Sequence, residues 1–224
     1  MSWTDKESIK TICKIRDKFN IREFIETGTY MGLNAETHAK NFQYIGTCEV
    51  NPEYFKIAQK RLSKHPNVYP VLMDSSEYLK AWRKTKDFTI FYLDAHFFVK
   101  GSKTNEDRFV VLKELKSLES RTNSIIVIHD FDNGKLGHIT YDGISLDLDL
   151  IKEDLFNVNP DFKLYTNELA NCDIMKIEEA TDNEMKDNLI YAWSKPEKTY
   201  RGILYCLPAE INVKEFGLKE LKWI

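Results

Sequence analysis

Five short apolar runs that alternate with stretches of helical periodicity constrain this chain more than any other feature in it. The runs are residues 23–26, 44–50, 68–73, 88–93 and 125–128. Helical patterns follow at 33–41, at Phe55, Ala58 and Leu62, at 75–84, and at 106–120, where Val111, Leu112, Leu115 and Leu118 have helical spacing. A parallel pair of strands needs a long crossover, usually a helix, so strict alternation predicts a parallel sheet with helices on both sides. The connections should be right-handed. Residues 125–128 are all β-branched, as a strand buried on both faces requires.

The flanks are less regular. Thr4 and Glu7 have capping-box spacing ahead of Ile9, Ile12, Ile15 and Phe19, which predicts an N-terminal helix. Beyond Asp130 the pattern loosens. Residues 132–147, with His138 among several Asp and Gly, read as a loop. Residues 148–156 read as a helix and 202–207 as a last strand, with 189–193 a strand that could pair with it.

Composition narrows the function classes. There are 32 basic and 35 acidic residues, a net charge of −3, which argues against a general role on nucleic acid or a membrane surface. No apolar run approaches the ~20 residues that cross a bilayer. Residues 1–10 are polar and mixed in charge, unlike a signal or transit peptide, so the expected compartment is the cytoplasm. Cys13, Cys48, Cys172 and Cys206 show no C-x-x-C spacing and are expected as four reduced thiols.

Open α/β sheets bind ligands beyond the carboxyl ends of their strands. After the first run come Glu26, Thr27, Gly28, Thr29, Tyr30, Met31 and Gly32. The second ends at Glu49, the third at Asp74-Ser75, the fourth at Asp94-Ala95-His96 and the fifth at His129-Asp130. Acids or histidines therefore close every strand of an apolar sheet. Gly28 permits a left-handed turn and close approach of a ligand. The Gly28-x-x-x-Gly32 spacing is not the dinucleotide G-x-G-x-x-G, and Glu26 two positions earlier suits a cation better than a pyrophosphate. An acid at Glu49 can accept from ribose hydroxyls, and Asp74 can accept from an adenine amino group or cap the helix at Ser75.

This ordered set resembles the class I S-adenosylmethionine-dependent methyltransferases, over about residues 20–132. Glu26-x-Gly28-x-x-x-Gly32 is similar to their first motif, and Glu49 and Asp74 fall at their ribose and adenine positions. Tyr30 stands where the family often has Gly. The resemblance implies a Rossmann-like, doubly wound, mostly parallel seven-stranded sheet with helices on both faces, closed by an antiparallel strand at 202–207. It implies one domain over residues 1–224. Residues 1–20 would be an N-terminal helix, 21–132 the cofactor-binding core, and 133–224 the acceptor-side loops, helix and closing strands. Glu26, Thr27, Gly28, Thr29, Tyr30, Gly32, Glu49, Asp74, Ser75 and Asp94 would bind S-adenosylmethionine.

The ends of the fourth and fifth runs hold Asp94, His96, His129 and Asp130. In O-methyltransferases similar to catechol O-methyltransferase, acids at these two ends hold Mg²⁺, so the resemblance makes Asp94 and Asp130 candidate metal ligands. Phe131 stands where a further acid or amide is supplied; Asp132 or Asn133 is the substitute. The expected reaction is methyl transfer to a small-molecule acceptor, a hydroxyl of a sugar or similar metabolite. His96 is the first candidate base and His129 the second, with Asp94 or Asp130 orienting it. Two other readings stay open. One is a metal-dependent hydrolase using Asp94, His96, His129, Asp130 and His138. The other is a cofactor-binding module without catalysis.

Overall fold

Apolar periodicity becomes layers in the computed structural model, which describes residues 6–82, 86–96, 102–168, 174–195 and 199–222. Helix α1 (Lys6–Phe19) leads into β1 (Glu23–Thr27), α2 (Leu33–His38), β2 (Tyr44–Glu49), α3 (Pro52–Leu62) and β3 (Val68–Leu72). Then come α4 (Ser75–Ala81), β4 (Thr89–Leu93), α5 (Asn105–Arg108), α6 (Val110–Ser117) and β5 (Ser124–Ile128). The chain continues through a hairpin of β6 (Thr140–Tyr141) and β7 (Ile144–Ser145), α7 (Leu148–Val158), β8 (Lys163–Asn167), α8 (Asn183–Ser194), β9 (Leu204–Leu207) and β10 (Leu218–Leu221).

The main sheet runs β10-β8-β9-β5-β4-β1-β2-β3. Strands β1 to β5 are parallel, β9 is antiparallel between β5 and β8, and β10 is antiparallel on the outer side of β8. This is the doubly wound, mostly parallel α/β arrangement. The order reverses at β1, which has β2 on one side and β4 on the other, and such a switch point opens a crevice at the carboxyl ends. Register levels those ends. Thr27 lies opposite both Cys48 and Leu93, and Leu93 opposite Ile128.

Alternate residues of each strand enter opposite layers. Ile126 and Ile128 of β5 pack with Leu112 and Leu115 of α6 and Ile151 and Leu155 of α7. Ile125 and Val127 belong to the other layer, with Ile12 and Ile15 of α1 and Ala58 and Leu62 of α3. Leu115 is fully buried, and truncating it to Ala should cost ~2–5 kcal/mol for lost contact and cavity.

The structure departs from expectation in four places. The main sheet has eight strands rather than seven. Gly217, at φ 68, ends the one-turn helix Val213–Phe216 and turns the chain so that β10 pairs with β8. Residues 189–193 are helical, not a strand. Asp182 caps α8 through the Met185 amide, and Met185, Leu189 and Ala192 face Leu33 and Ile174 at helical spacing. The helix expected through 106–120 breaks at Phe109, which is extended at φ −121 and ψ 101 and buries its ring 5.3 Å from Tyr141. Within the expected loop, Asp142 and Gly143 at φ 52 and 80 make the tight turn of the β6–β7 hairpin.

Cys13, Cys48 and Cys206 are free thiols, while Thr4 and Cys172 lie outside the described residues. Among the described residues no helix is long and apolar enough to cross a membrane.

Candidate active site

The first turn is set by what surrounds it. Gly28 has φ 75, and a Cβ there would lie 2.7 Å from the Asp94 carbonyl oxygen. Its amide and that of Thr29 donate to the Cys48 carbonyl. Gly32, at φ 85, starts α2 against Ala58 and Leu62. Tyr30, at φ 50, is half exposed, with its ring 4.5 Å from Tyr54. Thr27 is fully buried, and its hydroxyl accepts from the Asp94 amide at 3.3 Å. It braces the turn from below and lines neither of the two cavities above it.

Three acids follow. Glu26 is buried, accepting from Asn34 Nδ2 at 2.8 Å and Thr47 Oγ1 at 2.6 Å. Burial pushes its carboxyl up to about 8 despite those bonds. Glu49 accepts the Tyr30 amide on Oε2 and the Asn51 amide on Oε1, each at 2.8 Å, so backbone holds its carboxyl group in place and each oxygen keeps a lone pair. Asp74 caps α4. Its Oδ1 accepts from the Ser76 amide and hydroxyl and the Glu77 amide. Burial would raise its carboxyl, but these bonds outweigh that and hold it below the usual range.

Two cavities of about 560 and 510 Å³ open above these residues. The first is lined by Asp74, Ser75 and Ala95 among others, the second by Glu26, Thr29, Tyr30 and Asp94. Gly28, Glu49, Val50 and His96 line both, so they form one crevice along the strand ends.

At the ends of β4 and β5 two carboxylates and two imidazoles close a ring. Asp94 Oδ1 lies 3.2 Å from His96 Nε2 and 2.9 Å from His129 Nδ1. Asp130 Oδ2 lies 3.1 and 3.3 Å from the same nitrogens. Asp130 sits at φ 58, and its Oδ1 is 2.8 Å from Arg201 Nε. His129 is buried and its Nε2 meets no partner among the described residues, whereas the His96 side chain is 29% exposed. Burial opposes every charge here, and the pairing overrides it. The imidazoles hold both carboxyls far below their usual range; the carboxylates hold His129 above its ordinary value and His96 up to about 10.

The expected substitutes for the missing third oxygen ligand point elsewhere. Asp132 accepts from the Gly134 amide and pairs with His138. Asn133 accepts from the Lys135 and Leu136 amides and donates to Thr166 and Asn167. Phe131 is in the core. The oxygen set that would suit Mg²⁺ is therefore not assembled, and His138 stands with Asp132 rather than in the ring.

Among the residues at the site that escaped the sequence reading, three stand out. Arg201 braces Asp130 from just before β9, and no local pattern marks it. Asn188 of α8 lines the second cavity, in a segment read as a strand. Glu114 is fully buried beside Ser75 and Thr27, with its carboxyl pushed up to about 7 by burial. Its position between Val111 and Leu118 on the apolar face of α6 was a usable signal.

No protein-family model and no curated protein matches the chain. Solved structures do. The 23S rRNA methyltransferase ErmE is similar at 19% identity, over 54% of this chain and 46% of that one, with a TM-score of 0.37. The amino pentose methyltransferase CalS10 from Micromonospora echinaspora is similar at 16% identity, over 57% and 50%, with a TM-score of 0.38. This chain thus covers about half the length of each. A SAM dependent methyltransferase from Archaeoglobus fulgidus is similar at 14% identity, over 90% and 94%, with a TM-score of 0.49.

Proposed function

We propose that this chain is a class I S-adenosylmethionine-dependent methyltransferase acting on a hydroxyl of a small-molecule acceptor, a sugar or similar metabolite. The observation that carries the reading is Glu49. Its carboxylate is anchored by two backbone amides at the end of β2 and lines both halves of the crevice. Strand β9, antiparallel beside β5, supports the reading as the closing strand that the resemblance implies.

The residues present suit the cofactor. Glu26, a buried acid with a raised pKa, gains a partner when an ammonium group approaches. Glu49 offers lone pairs to ribose hydroxyls. Asp74 uses Oδ1 as the helix cap, leaving Oδ2 for an adenine amino group. S-adenosylmethionine, when bound, supplies an activated methyl group. The protein's part is to align the acceptor, exclude water and take the acceptor proton.

His96 is the better placed of the two candidate bases. It lines both cavities, while His129 lines neither. Its Nε2 faces the two carboxylates, which leaves Nδ1 to take a proton from an acceptor hydroxyl. The resulting imidazolium is stabilised by Asp94 and Asp130. That same pairing raises His96 to about 10, so the form that acts as base is the fraction that has lost its proton, a minority near neutrality that grows as pH rises.

Calorimetry with S-adenosylmethionine, S-adenosylhomocysteine and NAD side by side tests the cofactor. Saturable binding of the first two and none of NAD is expected; binding of NAD alone, or of none, would end the reading. Methyl transfer from labelled cofactor to pooled sugars, set against transfer to RNA, tests the acceptor class. Binding without transfer to any acceptor would favour the non-catalytic module.

A further inference from the structure

Arg61 lies on α3 with only 7% of its side chain exposed, and its guanidinium reaches three separate parts of the chain. Nε donates to the Met31 carbonyl at 2.9 Å, inside the Gly28–Gly32 turn. Nη1 is 3.0 Å from Glu36 Oε2 of α2 and 2.5 Å from Asp182 Oδ2, and Nη2 donates to Glu184 Oε2 at 2.7 Å. Asp182 is the cap of α8, and Glu184 lies in its first turn. A planar guanidinium carries five donors in a fixed fork. One arginine can therefore hold a carbonyl and carboxylates from different elements at set angles.

Helix α8 depends on that hold. Its apolar contacts form a small cluster of their own, Leu33, Ile174, Met185, Leu189 and Ala192, separate from the two layers that cover the sheet. Among the described residues, Leu33 is the buried member that comes from outside 174–192. A Lys6–Glu179 pair at 2.8 Å adds a partly exposed tie, which is worth little in water. An element docked by so few buried contacts opens locally at a fraction of the global stability. Yet α8 walls the crevice. Asn188 lines the cavity of about 510 Å³ together with Tyr30 of the turn, so the turn and α8 border one space.

We propose that Arg61 is a positioning residue that links α8 to the Gly28–Gly32 turn, so that a ligand filling the crevice fixes the turn and this helix together. The contacts are continuous. The amides of Gly28 and Thr29 are held by Cys48 and that of Tyr30 by Glu49, both on β2, while the Met31 carbonyl is held by Arg61. A ligand that settles the turn through Tyr30 also settles Arg61, and through it Asp182 and Glu184. The coupling is reciprocal. Docked α8 presents the turn in its binding geometry, and such couplings typically amount to ~5–150-fold in affinity. The ligand that tests it rests on the methyltransferase reading; the link itself does not.

Hydrogen exchange of the full chain, followed by mass spectrometry, reads both ends of the link. Arg61→Lys is the main variant. It keeps the positive charge that Glu36, Asp182 and Glu184 need, but one ammonium cannot span the Met31 carbonyl and the α8 carboxylates together. Without ligand it should speed exchange at least ~5-fold in both α8 and residues 28–32. Leu189→Ala, which removes only apolar docking, should speed α8 alone. Saturating S-adenosylhomocysteine should slow exchange in both segments of the parent. In Arg61→Lys it should slow only the turn, with affinity lowered ~5–150-fold.

Three results would each overturn the proposal: unchanged exchange at residues 28–32 in Arg61→Lys, equal effects of Arg61→Lys and Leu189→Ala on that turn, or full ligand protection of α8 in Arg61→Lys. Circular dichroism checks the fold of each variant. If Arg61→Lys does not fold, Glu184→Gln takes its place with the same outcomes, since it loosens the link from its partly exposed far end. S-adenosylhomocysteine that protects neither segment of the parent would sink the methyltransferase reading, while the ligand-free comparison still decides the link.

Discussion

A Cβ atom on Gly28 would stand 2.7 Å from the carbonyl oxygen of Asp94, so the turn after β1 and the end of β4 touch through a missing side chain. This contact joins the crevice to the His–Asp ring. It also makes a clean comparison with Gly143, which has a similar φ of 80 and nothing within 4 Å. Gly143→Ala should cost only the left-handed backbone penalty of ~1–2 kcal/mol, whereas Gly28→Ala adds the collision and should cost clearly more. Denaturant unfolding of the two variants decides this. Equal losses would mean that the Gly28–Asp94 approach is looser than described.

Glu49 is expected to carry much of the cofactor affinity. Two hydroxyls on one ionised carboxylate are worth roughly 1.5–3 kcal/mol each, so Glu49→Ala should weaken S-adenosylhomocysteine well over tenfold. Because Glu49 also accepts two backbone amides, Glu49→Gln is the companion variant, keeping one acceptor oxygen for the turn. Unchanged affinity in both by calorimetry would remove Glu49 from the site.

Glu26 gives a stability signature. Its carboxyl is raised from 4.5 to about 8 by burial, so the folded chain keeps a proton that the unfolded chain has lost across that interval. Without ligand, stability should therefore fall as pH rises from 4.5 toward about 8. Glu26→Gln should flatten this slope and be the more stable protein at the upper end. Parallel slopes in denaturant titrations of parent and variant would refute it.

His38 predicts the opposite trend at lower pH. It is fully buried between Phe24 and Phe42, with no partner for either nitrogen among the described residues, and burial lowers it from 6.5 to about 3. The unfolded chain takes up this proton as pH drops through 6.5 while the folded chain resists, so stability is lost between 6.5 and about 3. His38→Phe keeps the ring contacts and should shift the acid midpoint downward. An unmoved midpoint would show that another group governs acid unfolding.

Much of the site was legible because it lies at strand ends, and strand ends are marked by local periodicity. Glu26, Glu49, Asp94 and Asp130 each close an apolar run, and parallel register brings them level. Asp74 was legible as a helix cap, since a cap is a local signal, and the structure shows the cap. The strand expected at 189–193 failed for the complementary reason. Those few residues fit either period, and contact with Leu33, far away in sequence, favoured the helix.

The sequence by itself determined the alternation of strands and helices, the turn at Gly28 and the chemistry at each strand end, because all of these follow from residues within a few positions of one another. Tertiary structure alone decided that β10 extends the sheet and that α8 brings Asn188 to the cavity. It also turned Asp132 and Asn133 away from the ring and set Arg201 against Asp130. Each of these depends on which distant backbone donor, carboxylate or apolar face comes within a few ångströms once the chain is packed, and that proximity has no local periodicity to announce it.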